Sequence, residues 1–166
     1  MYQWKLKKEV FMVFKRFFLF FFLTLAILSC SRNEATVLHD VNGNSINLSQ
    51  QKGKWIVINY WAEWCDNCLK EIPELNKFYQ NTKDKNIIFI GVNFDRLSDD
   101  ALMEAINKTN IQFPVIKEDP SLIWNLSEVE VLPMTFIINP QGKVVREIPG
   151  TNTQESLLGI INDLQG

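Results

Sequence analysis

Histidine is almost missing from this chain of 166 residues: His39 is the only one. A histidine-rich metal centre is thereby excluded, and a metal role for His39 would need partners that its sequence neighbourhood does not supply. It reads as an ordinary exposed side chain. Cysteine is scarce too, with three in all. Cys30, Cys65 and Cys68 cannot build the multi-bridge framework of small secreted folds, so a pair among them serves chemistry or metal binding. No uninterrupted apolar run reaches the roughly 20 residues that a spanning helix needs. Internal repeats are absent, which removes repeat architectures. Low-complexity sequence is confined to the front of the chain.

That front is the first thing present. Lys15-Arg16 precede the apolar run Phe17 to Leu28, and Ser29 precedes Cys30. A basic start, a short apolar stretch and a small residue before a cysteine read as an export signal over residues 1–29. Ile27-Leu28-Ser29-Cys30 resembles the bacterial lipobox, which implies lipidation of Cys30 and a short polar tether over residues 30–36. An uncleaved anchor or a plain signal cut nearby is the other reading. Met12 lies directly before the basic pair's segment and is an alternative start. Residues 1–29 hold five of the basic residues and one of the acids, which leaves 12 basic and 18 acidic residues, net −6, from Cys30 onward. With no basic cluster in that part, there is no electrostatic case for a nucleic-acid partner.

The rest of the chain is organised around Trp61-Ala62-Glu63-Trp64-Cys65-Asp66-Asn67-Cys68. An apolar run, Trp55 to Tyr60, leads in, and a helical pattern beginning at Leu69 leads out. Strand, tight turn, two cysteines two residues apart and then helix is the geometry of a redox-active dithiol. Cys65 falls at the helix N-terminus, where unpaired N–H groups and the helix dipole favour an anion. The thiolate is the attacking species in disulfide exchange, so the placement matters. Cys68 falls one turn on, where it can attack a mixed disulfide at Cys65.

Around this centre the pattern predicts one α/β domain over residues 37–166. Val37 to Leu48 alternates weakly about Asn42-Gly43-Asn44 and reads as a hairpin or edge strand. Lys54 to Tyr60 and Asn86 to Phe94 are near-continuous apolar runs, hence central strands. Between them a helix runs from Cys65 or Asp66 to about Asn81, with a kink at Pro73. Ser98 with Asp99-Asp100 caps a helix reaching about Thr109. Phe113 to Ile116 is a short extended piece, and Asp119-Pro120 starts a brief helix. Val131 to Ile138 is a strand whose first residue Pro133 marks. After the Asn139-Pro140-Gln141-Gly142 turn, Lys143 to Ile148 returns antiparallel. Thr151 or Thr153 caps a last helix with Leu157, Leu158, Ile161 and Leu164 facing the core. The order implies a mixed sheet covered by helices on both faces.

Several of these stretches together resemble the thioredoxin-like superfamily. They are Gly53-Lys54, Asn59 to Cys65, Cys68 with Glu71 and Pro73, Gly91-Val92-Asn93, Phe113-Pro114, and Leu132 to Phe136 ending at Asn139-Pro140-Gln141-Gly142. The chain is most similar to the membrane-anchored, periplasm-facing TlpA/ResA-like thiol–disulfide oxidoreductases, which include the cytochrome c maturation thioredoxins. The resemblance implies the thioredoxin-like fold, a central mixed β-sheet flanked by helices on both faces. It implies Cys65 as nucleophile, Cys68 as resolving thiol and no cofactor beyond a redox-active Cys65–Cys68 disulfide. Pro133 is expected to be cis and to face the dithiol, leaving the Leu132 backbone free to pair with an incoming peptide. Trp64 is expected to shield the sulfurs. Glu71, three residues after Cys68, is associated with proton management in such proteins; an exposed acid favouring the helix dipole is the competing reading.

Two departures from thioredoxin itself stand out. Asn59 occupies the place of its buried aspartate, which moves acid–base work toward Glu71 or water. Asp66-Asn67 separate the cysteines where a proline-containing pair is usual, and Asp66 opposes thiolate formation at Cys65. The implied partners are protein disulfide substrates, a membrane thiol–disulfide electron donor and the membrane itself through the lipid. An apocytochrome c, another exported oxidoreductase and a general pool of misoxidised proteins all fit as substrate. The protein is expected to act as a monomer on the periplasmic side of a bacterial membrane. Other readings are a thioredoxin-like copper chaperone, a peroxidase or a redox-inert binding module. The first normally has three residues between its cysteines, the second a lone peroxidatic cysteine, and the third no need of the dithiol.

Overall fold

The computed structural model describes residues 37–166. The leader over residues 1–29, the alternative start Met12, Cys30 and the tether through residue 36 lie outside the described residues.

The sheet grows outward from β3, Trp55–Trp61, every residue of which is buried. A strand with neighbours on both edges and cover on both faces needs apolar side chains throughout, which is why Trp-Ile-Val-Ile-Asn-Tyr-Trp does not alternate. β3 pairs parallel with β4, Ile87–Asn93, from Trp55↔Ile87 to Trp61↔Asn93. It pairs antiparallel with β6, Met134–Ile138, where Tyr60 meets Met134. β5, Val115–Ile116, and β7, Val144–Pro149, complete the order β5-β4-β3-β6-β7. The β6 ladder opens at Met134, one residue later than expected, because Pro133 has no N–H to contribute.

Among the described residues four α-helices accompany the strands, three between strands and one after the last: α1, Asp66–Thr82; α2, Asp99–Thr109; α3, the single turn Ser121–Trp124; and α4, Gln154–Gln165. Pro73 sits inside α1 without ending it. Ser98 takes the N-cap position of α2, but its side chain makes no capping bond, leaving Asp99 and Asp100 to complement that helix end. Thr153 caps α4 in a reciprocal capping box with Ser156. The three longer helices share one core with the Val57 and Trp61 face of β3, through Leu75 and Phe78, Leu102 and Ile106, and Leu157 and Ile161. On the opposite face Ile58, Tyr60 and Phe136 pack with Leu38, Trp124 and Leu126.

Leu38 belongs to the hairpin of β1, Val37–His39, and β2, Ser45–Asn47. Its turn is held by Asp40, whose carboxylate accepts from the N–H groups of Asn42 (2.9 Å) and Asn44 (2.8 Å). The hairpin also docks on β5: Val41 N–H donates to Val115 O (3.1 Å) and Lys117 N–H to His39 O (3.0 Å). His39 is exposed, and its Nδ1 lies 2.7 Å from Glu118. Among the described residues no helix is long and apolar enough to cross a membrane.

Candidate active site

Where β3 ends, the chain turns through Ala62, Glu63 and Trp64 and enters α1. Cys65 is the N-cap residue, with extended φ −88° and ψ 99°, and its Sγ accepts from the Cys68 N–H at 3.2 Å. The sulfur therefore occupies the place that a serine or aspartate oxygen takes at other helix starts. The two cysteines form a disulfide across a Cα–Cα distance of 5.2 Å. Cys65 is 7% exposed and Cys68 fully buried, so an incoming sulfur meets Cys65 first. A helix N–H aimed at Sγ favours negative charge there once the bond is reduced.

The Leu132–Pro133 peptide bond is cis, as expected. Because Tyr60 pairs with Met134, the antiparallel register sets Pro133 level with Trp61, where the dithiol turn begins. Pro133 O accepts from Gly150 N–H (2.9 Å), while the backbone of Leu132 makes no hydrogen bond among the described residues. A backbone with free polar groups at this end of β6 is what a substrate strand would pair with.

Trp64 stands outward at 64% exposure, unlike Trp61, which is buried. It is held edge-on against Phe94, with ring centroids 6.4 Å apart, and its Nε1–H donates to Asp95 at 2.9 Å. Phe94, itself exposed, extends an apolar platform beside the turn. Glu63 in that turn is tied by an ion pair to Lys108 of α2. Past Phe94 opens a cleft of about 510 Å³, where Tyr60 donates to Asp119 (2.9 Å) and Arg96 pairs with the same carboxylate (2.6 Å). Burial and the Asp119 bond hold the Tyr60 phenol well above its usual range.

Glu71 is only 2% exposed, which removes the exposed-acid reading. It lies on α1 one turn after Cys68, on the same side of the helix. Its Oε1 accepts from Asn59 Nδ2 and its Oε2 from the Asn152 N–H, both at 2.8 Å. Desolvation outweighs these two bonds and pushes its pKa up from 4.5 to about 7. Thr135 of β6 closes the group, accepting from Asn59 Nδ2 (3.1 Å) and Asn152 Nδ2 (3.3 Å). The site thus holds a dithiol, a backbone segment at Leu132 that makes no hydrogen bond among the described residues, and a buried carboxyl poised near neutrality.

Cys65 caps α1, Cys68 and Glu71 lie on its first two turns, and Leu132 with Pro133 lie just ahead of β6. Trp64 flanks them, and Cys30 lies outside the described residues. Sequence reading missed Asn152. Its contact with Glu71 spans 81 residues and is made by a backbone N–H, so residue type carries no signal of it. Phe94 and Asp95, which fix Trp64, were also missed. Among the described residues no cluster of His, Cys, Asp and Glu has metal-site geometry.

Residues 32–147 match the model of the AhpC/TSA family. The chain is 35% identical over 126 residues to the thiol-disulfide oxidoreductase ResA of Bacillus subtilis, covering 76% of this chain and 70% of that protein. ResA of Geobacillus kaustophilus is 32% identical over 123 residues, covering 73% and 69%. Among solved structures, a thioredoxin-family thiol:disulfide interchange protein from Chlorobium tepidum superposes with a TM-score of 0.66 at 23% identity, over 79% of this chain and 93% of that one. At that identity the likeness speaks for the fold alone.

Proposed function

The chain belongs to the AhpC/TSA family, among its ResA-like thiol–disulfide oxidoreductases, and from that premise we propose that it is an exported, lipid-anchored reductase of protein disulfides. Thiol–disulfide exchange itself follows from the family and the Cys65–Cys68 pair. The observation that best supports proton-assisted exchange at this dithiol, in the reducing direction proposed here and by microscopic reversibility in its reverse, is the buried Glu71. A reductase must take a proton from its resolving thiol, and Glu71 is an acceptor of suitable affinity one helical turn away.

In the reduced protein the Cys65 thiolate attacks one sulfur of a substrate disulfide. A mixed disulfide forms, the substrate bond breaks, and the departing thiolate is protonated from solvent. Cys68 then gives its proton to the Glu71 carboxylate and attacks Cys65 Sγ. The second substrate thiolate leaves, and two electrons have passed from the dithiol to the substrate. The Leu132 backbone pairs with the substrate strand, Pro133 sets its height over the dithiol, and Trp64 and Phe94 give it an apolar bed. A thiol donor at the membrane restores the dithiol. The Lys15-Arg16, apolar and Cys30 pattern supports export and lipidation, which place the domain where such disulfides occur.

Trapping tests the reading. Cys68→Ser should accumulate mixed disulfides through Cys65, with the partners identified by mass spectrometry; empty traps from both reducing and oxidising cells would sink it. The relay has its own check. The rate of substrate release should rise with pH through about 7 as Glu71 ionises. Glu71→Gln should abolish that inflection, and a profile unchanged by the substitution refutes the role.

A further inference from the structure

The two oxygens of Glu71 face donors of different kinds. Oε2 faces the backbone N–H of Asn152, which can only donate. Oε1 faces the side-chain amide of Asn59, which carries an acceptor as well as donors. The same Asn59 Nδ2 donates to Thr135, whose hydroxyl can turn its hydrogen. Asn59, Glu71, Thr135 and Asn152 are each at most 5% exposed, so bulk water is poorly placed to cover a mismatched pair.

We propose that Asn59 is a positioning residue that turns its amide when Glu71 changes charge, and that the neutral acid carries its proton on Oε1. The inference rests on the relay reading above. With Glu71 ionised, Asn59 Nδ2 donates to Oε1 and to Thr135 Oγ1, the arrangement of this structure. With the proton on Oε1, that arrangement would set donor against donor. A half-turn of the amide brings Oδ1 into place, where it accepts from the Glu71 O–H and from the rotated Thr135 O–H. Thr135 Oγ1 continues to accept from Asn152 Nδ2. Asn59 Oδ1 makes no bond to another described residue, so the turn gives up nothing within the chain. The Asn152 N–H cannot turn, which keeps the proton off Oε2.

No charged partner competes for the carboxyl. Neither β3 nor β6 carries a charged residue. On α1 the titratable neighbours are the two cysteines, locked here in the disulfide, and Glu74, which is bonded to Lys77 and to the Gln154 N–H. On the α4 side Glu155 is exposed. An asparagine at position 59 can serve both states of Glu71; an aspartate would compete with it for the proton.

Neutron diffraction of the intact, deuterium-exchanged protein decides the matter, because nuclear density separates nitrogen from oxygen and shows deuterons. The comparison is between about pH 5 and about pH 9, either side of the value of about 7 expected for Glu71. The expected result is a deuteron on Oε1 at the lower pH, with Asn59 Oδ1 facing it, and the present orientation at the higher pH. An unturned amide beside a protonated Glu71 overturns the switch and leaves the relay standing. A Glu71 with no deuteron at the lower pH overturns both. A second arm follows the Glu71 carboxyl carbon by NMR in Asn59→Ala. A turning amide stabilises both charge states, so the midpoint should move by less than about half a pH unit. A fixed donor stabilises only the anion, and its loss would raise the midpoint by about one pH unit or more, which counts against the switch.

Discussion

A carboxyl whose pKa rises on folding weakens the fold as it ionises. Glu71 titrates near 4.5 when the chain is unfolded and at about 7 when it is folded. Between those values the folded protein holds a proton that the unfolded chain has lost, so stability falls as pH rises through that window and levels off above it. The full difference is about 3 kcal/mol, to order of magnitude. Urea unfolding of the oxidised protein across that range should show the decline, and Glu71→Gln should lack it. Equal pH slopes in the two proteins would show that the folded carboxyl titrates normally. Trp64 poses the opposite case, a side chain with little folding role. It is 64% exposed, so Trp64→Ala should alter stability by no more than about 0.5 kcal/mol. Reduction of protein disulfides should slow, since the platform with Phe94 is lost. A large drop in melting temperature would show instead that Trp64 is structural.

The close fit of β4 to its edge shows in Gly91. A Cβ there would come within 2.8 Å of the Phe113 ring and 3.3 Å of Val115. Phe113 cannot swing aside freely, because it packs on Phe89 at a centroid distance of 4.7 Å. Gly91→Ala should therefore destabilise by about 1–3 kcal/mol through overpacking, measurable by chemical denaturation, whereas a neutral effect would mean the β5 edge yields. Elements such as β4 were legible because burial on both faces leaves an unbroken apolar run. The dithiol was legible for another reason, since its chemistry needs two cysteines at fixed spacing ahead of a helix, whereas the cis proline was implied only by the resemblance to the thioredoxin-like superfamily. What stayed hidden were contacts made by generic groups across long separations. The Asn152 N–H on Glu71 is one, and the Trp64–Asp95 bond is another. The sharing of one core by all three longer helices was hidden too, since an amphipathic stripe tells that a helix packs but not on which face.

One of the two outer edges of the five-stranded sheet is β5. β5 is two residues long, and an open edge invites pairing with another chain. The hairpin covers it, through Val41 on Val115, Lys117 on His39 and the bridge between Asp40 and Ile116. The same hairpin drives Leu38, 1% exposed, into the core beneath Ile58 and Phe136. Two functions, edge protection and core filling, thus rest on about ten residues ahead of the first central strand. A compact unit runs from Ala35 to Gly166, so a fragment beginning at Ala35 should fold as the intact chain does. A fragment beginning at Leu48 should lose cooperative unfolding and associate through the bared edge, even though every residue of the dithiol site is retained. Leu38→Ala separates the two contributions: it should cost about 2–5 kcal/mol while leaving the edge covered and the association state that of the intact chain. Circular dichroism with sedimentation analysis checks all three proteins. A shortened fragment that associates no more than the intact chain and unfolds cooperatively would show that the hairpin is an ornament on a self-sufficient domain.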